Sequence, residues 1–386
     1  MVIVGLSKSN VKKKCPILKG DVPVFAKYKP DIKSIKKVAS KYKSKKNIIV
    51  IGNGGSITSF DYYVRALGSP KNCYVVSTME PDFLRNVKMR CKPFETVIIV
   101  VSKSGNTVGV IESLMYFKGY KDVVVITENK ESAIKAIQEK KGYDYIEHPV
   151  VGGRYSGFTP SGLLPAAIAG VDIDAVWKGA KSAYTKYSIK RQSNDAMKVA
   201  NIFYELDKKG YNEIFMPIYS SKLEGSINIL MQLMHESCGK NGKGQTMIAT
   251  FAPESQHHTN QRFFGGKKNM VGCFVVDEQD DSKTLVDIPK TLQKIKLRDG
   301  TLADLTGNSY QKALSAEFIG TREDTIANKI PNIVLNIGKV SPESLGSYLA
   351  FWHYVTVYTC MLNKVDPFNQ PQVENSKLIS YKLRLE

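Results

Sequence analysis

Two short polar segments of the sequence contain the small and hydroxyl-bearing residues that suit phosphate binding. We call Gly52-Asn53-Gly54-Gly55-Ser56 the glycine turn and Ser102-Lys103-Ser104-Gly105-Asn106-Thr107 the phosphate turn. Each follows a run of β-branched residues and opens a helical pattern, so its backbone N–H groups lack intrahelical partners. These N–H groups and the helix dipole favour an anion. The two turns therefore predict one phosphate-bearing ligand held from neighbouring strands.

Within the phosphate turn, the hydroxyl groups can donate to phosphate oxygens while the backbone N–H groups do the same. Gly105 permits the tight turn, and Thr107 is expected to cap the following helix. The alternative is an ordinary capped turn between a strand and a helix. The candidate ligand-binding residues of the two turns are Gly54, Gly55, Ser56, Ser102, Lys103, Ser104 and Thr107.

A second glycine pair precedes an arginine in the segment Gly152-Gly153-Arg154-Tyr155-Ser156. Paired glycines let the backbone approach a ligand, and Arg154 supplies a permanently charged fork of donors. Gly153 and Arg154 are therefore candidates for the same site. The alternative is a turn that carries a surface arginine.

Three further residues have the chemistry of proton transfer. Glu236 ends an apolar helical pattern, where a partly desolvated carboxylate suits a proton-shuttling base. His257, next to Gln256, lies in a loop, and Lys377 lies one turn into a terminal helix. Taken alone, each has an ordinary alternative as a surface residue. No Cys/His pair with the spacing of metal ligands accompanies them, so no metal site is expected.

The elements that must position these residues alternate between strand and helix. Strands are predicted at 47–51, 73–77, 96–101, 123–127 and 145–147, with helices at 59–67, 108–118 and 132–138. This alternation predicts a parallel sheet covered by helices, with ligands bound beyond the carboxyl ends of its strands.

A second alternating block follows a helical connector at 174–208. It contains predicted strands at 213–219, 245–250, 271–276 and 332–336, and predicted helices at 222–238, 311–318 and 342–362. The pattern at 342–362 is rich in aromatic residues and indicates an amphipathic helix. The two blocks suggest one fold used twice.

Composition narrows the class of protein. The 386 residues carry a formal net charge of +19, mostly from scattered lysines, with one dense region at 12–46. No aromatic-basic pattern accompanies that region, so we expect a solvated surface rather than a nucleic-acid partner. Six irregularly spaced cysteines indicate reduced thiols. No apolar run suits a membrane span or a signal peptide, which predicts a soluble, cytoplasmic protein.

Taken in chain order, six motifs resemble those of the glucose-6-phosphate isomerase family. Four are the two turns, the arginine segment and Glu236-Ser237-Cys238-Gly239-Lys240. The others are Gln256-His257 with Gln261, and Gln370-Pro371-Gln372-Val373-Glu374 followed by Lys377. The resemblance implies an α/β fold of two SIS-type domains, each a mostly parallel sheet flanked by helices, plus a C-terminal helical segment. Residues 1–172 would form the domain with the phosphate turn, and residues 173–386 the connector, the second domain and the helical tail.

The same resemblance implies the reaction and the role of each residue. Glucose 6-phosphate and fructose 6-phosphate would interconvert through a cis-enediol, with Glu236 as base and Arg154 stabilising the enediolate. Ring opening would fall chiefly to His257, with Lys377 as a second candidate. The family needs no metal or organic cofactor. It also implies a homodimer in which His257 reaches the site of the neighbouring subunit.

Two other functions stay open at this point. Residues 157–160 and 253–255 depart from the usual family pattern, and compact relatives that also isomerise mannose 6-phosphate carry a similar Gly-Gly-Arg segment. A bifunctional isomerase is therefore one alternative. A non-catalytic sugar-phosphate sensor is the other, although such sensors usually lose the base.

Overall fold

The computed structural model describes residues 2–3, 19–191, 194–278 and 283–386. The lysines at 12–14 and Cys15 lie outside these residues. The other five cysteines are free thiols. Within the described residues, no helix has the length and apolar character that crossing a membrane requires.

The first sheet has five parallel strands in the order β3-β2-β4-β5-β6. Its strands are β2 (Asn47–Ile51), β3 (Asn72–Val76), β4 (Thr96–Val101), β5 (Val123–Thr127) and β6 (Asp144–Glu147). The three central strands, β2, β4 and β5, are buried along their whole length, as their β-branched sequences predict. The predicted strands are confirmed to within one residue at each end.

The helices of the first half flank this sheet or connect its strands. They are α1 (Val24–Lys27), α2 (Ile32–Lys41), α3 (Gly55–Leu67), α4 (Pro81–Arg90), α5 (Val108–Tyr116), α6 (Ala133–Lys141) and α7 (Pro160–Ile168). The sequence patterns predicted α3, α5 and α6 and missed the other four. The connector expected as one helical region is two helices, α8 (Ile173–Tyr187) and α9 (Asp195–Asp207).

The second sheet also has five strands, in the order β1-β12-β9-β7-β8. All its pairs are parallel except that of β1 (Val2–Ile3) with β12, which is antiparallel. The other strands are β7 (Glu213–Tyr219), β8 (Thr246–Phe251), β9 (Met270–Val276) and β12 (Asn332–Asn336), and a separate hairpin joins β10 (Lys296–Leu297) to β11 (Gly300–Thr301). Its helices are α10 (Ser226–Cys238), α11 (Thr259–Gly265), α12 (Tyr310–Ala327), α13 (Pro342–Asn363) and α14 (Glu374–Lys382).

Helix α13 occupies the centre of the molecule. It packs against α8, α9 and α10, and every residue from 348 to 360 is buried. The prediction of an amphipathic helix is therefore wrong: apolar residues cover its whole circumference because neighbours surround it. One continuous apolar core includes residues of both sheets and of this helix. The predicted division at residue 172 stays a prediction.

Candidate active site

The glycine turn lies directly against the arginine segment. Strand β2 ends at Ile51, and α3 begins at Gly55. A Cβ on Gly55 would lie 2.3 Å from the carbonyl oxygen of Gly153 and 2.5 Å from the Cα of Arg154. Only a residue without a side chain permits this approach. The structure thus brings together two segments that are separated by a hundred residues.

The phosphate turn joins β4 to α5 at the carboxyl end of the first sheet. The Ser102 and Thr107 hydroxyl groups lie 2.8 Å apart and share a hydrogen bond, and Gly105 has a φ of 69°. Thr107 is the N-cap residue of α5, as expected, but its hydroxyl contacts Ser102 and makes no capping hydrogen bond to the helix. The Ser104 hydroxyl accepts from the N–H of Asn106. The first N–H groups of α5 therefore have no capping side chain, which suits anion binding.

A second loop, between β5 and α6, holds the phosphate turn in place. The Thr127 hydroxyl donates to the carbonyl of Lys103 at 3.4 Å, and the Asn106 side chain accepts from the N–H of Ala133 at 2.9 Å. The N–H of Ile134 donates to the carbonyl of Gly105. The sequence analysis missed this support, because a threonine that ends a strand carries no local signal of its partner.

The charge of Lys103 has a partner beside the turn. Its ammonium lies 3.7 Å from the carboxylate of Glu128, which also pairs with Lys130. Burial raises the pKa of Glu128, but the hydrogen bond from Lys130 and the charge of Lys103 outweigh it, so the net pKa is lowered. The carboxylate thus stays ionised and offsets part of the positive charge at the turn.

Arg154 and Glu236 form an ion pair at the centre of the site. Arg154 lies in a 3₁₀ turn (Gly153–Phe158), and Glu236 lies in the last turn of α10. The Arg154 Nε and the Glu236 Oε2 are 3.0 Å apart, with 3% and 31% of the two side chains exposed. The carboxylate is thus fixed by a buried cation and still reachable from solvent.

Gln232 is a candidate site residue that the sequence motifs did not indicate. Its side-chain amide donates to the Glu236 Oε1 at 2.9 Å, and its own Oε1 is buried without a partner among the described residues. A Cβ on Gly54 would lie 2.6 Å from its Nε2, so Gln232 also contacts the glycine turn. The spacing of four residues from Glu236 on one helix was the available signal.

The remaining donors of Arg154 reach α10 and the C-terminal segment. They donate to the Ser237 hydroxyl at 3.2 Å, to the carbonyls of Pro367 and Asn369 at 3.4 Å, and to the Gln370 side chain. The predicted C-terminal motif therefore begins at this site.

Lys240, in the motif that contains Glu236, ties α10 to the same segment. Its ammonium is buried and donates to the carbonyl of Asp366. Burial and the nearby charge of Arg154 lower the pKa of Lys240.

Three predicted residues lie apart from the Arg154–Glu236 pair within this chain. His257 is exposed at the end of a 3₁₀ turn (Glu254–His257), and within the described residues it makes no hydrogen bond or ion pair with Arg154 or Glu236. The Gln256 side chain donates to the Thr321 hydroxyl of α12 at 3.1 Å. Lys377 is exposed on α14 and pairs with Glu374 at 2.7 Å. The roles of all the predicted site residues stay predictions.

Within the described residues, no group of three or more histidine, cysteine or acidic side chains is placed to hold a metal ion. His235, beside Glu236, has a structural contact instead, because its Nε2 accepts from the N–H of Met247 at 2.9 Å. Burial lowers the pKa of His235, which keeps the ring neutral for this bond.

Known proteins resemble this chain along most of its length. It is 30% identical to glucose-6-phosphate isomerase of Methanocaldococcus jannaschii, covering 89% of this chain and 86% of the relative. It is 28% identical to glucose-6-phosphate isomerase of Fusobacterium nucleatum, covering 90% and 82%.

Solved structures share the fold. A hypothetical protein from Thermus thermophilus superimposes with a TM-score of 0.83 at 25% identity, covering 92% of this chain and 87% of that one. A glucose-6-phosphate isomerase from Chlamydia trachomatis gives 0.75 at 19% identity, covering 91% and 72%. The predicted α/β fold is confirmed. A sequence profile described as phosphoglucose isomerase matches residues 21–386. The chain belongs to the phosphoglucose isomerase family.

Proposed function

We propose that this protein interconverts glucose 6-phosphate and fructose 6-phosphate, with Glu236 as the base. The observation that carries the proposal is the ion pair between Glu236 and the buried Arg154, packed against the glycine turn. A sensor that only binds sugar phosphates has no need of an accessible carboxylate held from both sides. Relatives named glucose-6-phosphate isomerase over most of the chain support the same reaction.

The reaction moves one proton between C2 and C1 of the open-chain sugar. The Glu236 carboxylate takes the proton from C2 of the aldose, which leaves a cis-enediolate with its negative charge on O1. The hydroxyl proton of O2 then passes to O1, and Glu236 returns its proton to C1, so that C2 becomes the carbonyl carbon of the ketose. Gln232 and Arg154 hold one carboxylate oxygen each, so the base is oriented before substrate arrives. Arg154 is also a buried cation beside this carboxylate, where it can stabilise the enediolate.

The phosphate group would bind at the carboxyl ends of β2 and β4. The hydroxyls of Ser56, Ser102, Ser104 and Thr107 would donate to its oxygens, together with backbone N–H groups at the starts of α3 and α5. Lys103 would add positive charge, reduced by its contact with Glu128.

We assign ring opening to His257 and Lys377, and we propose that His257 comes from a second copy of the chain. The histidine is exposed and makes no recorded bond to Arg154 or Glu236 within the described part of its own chain. A homodimer with two-fold symmetry would place it in the site of the other copy.

The substitution Glu236→Gln tests the base. It keeps the shape of the side chain and removes the proton acceptor, so kcat should fall at least about a hundred-fold in a coupled assay with fructose 6-phosphate. Binding of glucitol 6-phosphate, which has no carbonyl to isomerise, should change little. Glu224→Gln, an exposed glutamate just before α10, is the matched control and should keep full activity. Full activity in Glu236→Gln would disprove the assignment.

Subunit mixing tests the shared site. Glu236→Gln and His257→Gln chains should each be nearly inactive alone. When the two chains are unfolded and refolded together, about half of the dimers contain one chain of each kind. One of the two sites in such a mixed dimer has both a native Glu236 and a native His257. About a quarter of the wild-type activity should therefore return. If His257 acted within its own chain, no activity would return.

A further inference from the structure

A second concave site lies at the opposite end of the first sheet from the glycine turn. It is a cavity of about 680 Å³, bounded by α2, the starts of β2 and β3, and the connection between α7 and α8. We call it the lysine cavity. Its volume falls in the range of small-molecule sites.

The lysine cavity is separate from the Arg154–Glu236 site. Its lining residue Lys46 comes directly before β2, whereas the glycine turn comes directly after that strand. The five residues of β2 span about 17 Å at the usual rise of a strand. A ligand in the cavity therefore does not occupy the sugar-phosphate site.

One wall of the cavity is apolar. It consists of Pro70, Ala39 of α2, and the residues of the α7–α8 connection, Ala167, Ile168, Val171 and Ile173. Ile168 and Ile173 are 3% and 1% exposed, so they form part of the folded core. Pro70 is exposed and Ala167 is half-buried, so these two residues give the wall accessible apolar surface that a ring or an alkyl chain can contact.

The rim of the cavity is positively charged. Among the described residues, five lysines line it and no acidic residue does; the lysines are Lys36, Lys43, Lys45, Lys46 and Lys71. Three of these lysines have carboxylate partners outside the lining: Lys36 pairs with Asp174, Lys45 with Asp122, and Lys46 with Glu95.

The other two lysines have no carboxylate partner among the described residues. The Lys71 ammonium donates to the carbonyls of Lys43 and Lys45, and burial lowers the pKa of Lys71. The Lys43 ammonium makes no recorded bond within the described part of the chain, and Lys43 is exposed. The rim therefore keeps an excess of positive charge. The Lys36 pair is more than half exposed on both sides, so its partner can be exchanged for a stronger anion.

We propose that the lysine cavity binds a phosphorylated organic anion, with its phosphate held by Lys43 and Lys36 and its apolar part against the wall at 167–173. The positive rim selects the anion, and the apolar wall selects a ligand that carries a ring or an alkyl chain beside its phosphate. Two sources share this chemistry, a nucleotide and an alkyl phosphate.

Calorimetric titration of the purified full-length protein tests the proposal, with saturating fructose 6-phosphate present to occupy the sugar-phosphate site. The probes are adenosine triphosphate against inorganic triphosphate, and octyl phosphate against inorganic phosphate. We expect at least one organic probe to bind about ten-fold more tightly than its inorganic counterpart. The organic probe that does so identifies the source. Equal binding within both pairs, or no binding at all, would overturn the proposal.

Two variants place the ligand in the cavity. Lys43→Glu reverses an unpaired rim charge, and Ser40→Trp fills the cavity from the exposed surface of α2. Each should weaken the organic probe about ten-fold or more while isomerase activity and melting temperature stay unchanged. Lys267→Glu, an exposed lysine of the other half, is the matched control. An equal loss in Lys267→Glu, or displacement of the probe by fructose 6-phosphate, would show binding outside the cavity and refute the proposal.

Discussion

His353 gives the protein a pH-dependent stability whose size follows from its surroundings. Its side chain is fully buried in α13, and its ring contacts those of Phe25 and Tyr155 at centroid distances of 5.1 and 5.2 Å. Its Nδ1 lies 2.7 Å from the hydroxyl of Tyr184, and its Nε2 has no partner among the described residues. Burial lowers the pKa of His353 from 6.5 to about 3.

The imidazole is therefore neutral in the folded protein at any pH above about 3. Above pH 6.5, the histidine is neutral in the unfolded chain as well, and stability does not depend on it. Below pH 6.5, the unfolded chain takes up a proton that the folded protein excludes, so stability falls until the pH reaches about 3. At pH 5 the loss relative to pH 8 is about 2 kcal/mol, from about 1.5 pH units at about 1.4 kcal/mol each.

Urea unfolding at pH 8 and pH 5, at one protein concentration, measures this loss. From pH 8 to pH 5, the free energy of unfolding of the wild-type protein should fall by about 2 kcal/mol more than that of His353→Gln. Tyr184→Phe removes the hydrogen bond but keeps the imidazole buried, so it should lose as much as the wild type. The other titrating groups contribute equally to the wild type and to His353→Gln, so their contributions cancel in the difference. Equal losses in the wild type and His353→Gln would refute a buried neutral histidine.

Three further substitutions test the geometry of the site. Gly55→Ala brings a Cβ within 2.5 Å of the Arg154 backbone, so both kcat and the melting temperature should fall. In Gly68→Ala the new Cβ meets nothing within 4 Å, but the φ of 74° is strained for alanine, so only the melting temperature should fall. Equal activity in the two variants would contradict the contact between Gly55 and Arg154. Thr127→Val removes the hydroxyl that holds the phosphate turn, so KM should rise about three- to ten-fold with kcat retained, and an unchanged KM would exclude that support. Gln232→Leu removes the donor to the base, so kcat should fall about ten-fold in the coupled assay, and an unchanged kcat would rule out a positioning role.

The strands and the phosphate turn could be predicted because their signals are local. Strand β4 matches its prediction at both ends, since six β-branched residues precede a serine that starts the turn. Helix α12 was predicted at 311–318 but spans Tyr310–Ala327, because its second half has no apolar stripe. The buried residues of that half are Thr321 and Thr325, which are polar and therefore give no apolar signal.

Helix α2 shows why the lysine-rich region was harder to interpret. Its lysines predicted a solvated surface and are exposed, but Ile35 and Ala39 between them are buried in the core, where α2 packs against α7. The two apolar residues are four positions apart, which is the spacing of one helix face. In a region dominated by lysine, that short pattern was too weak to predict the helix. The apolar wall of the lysine cavity, to which Ala39 belongs, could therefore not be predicted either.

Local sequence patterns could not predict the contacts of the candidate active site for a different reason. Arg154 donates to groups on α10 and on the C-terminal segment, and the positions of both depend on how α13 and the core beneath them pack. From their own segments, Arg154 and Glu236 were separate candidates, each with a surface alternative, and only the family resemblance implied that they act in one reaction. The fold places the two side chains in contact. Gly55 has no side chain, so the Arg154 backbone can pack against it, and α10 places the Glu236 carboxylate 3.0 Å from the guanidinium. That guanidinium is buried, and its donors are already oriented by fixed acceptors. It therefore needs little rearrangement when negative charge develops on the substrate. An electrostatic contact lowers the activation barrier under this condition, because no energy is spent on reorienting the group during the reaction.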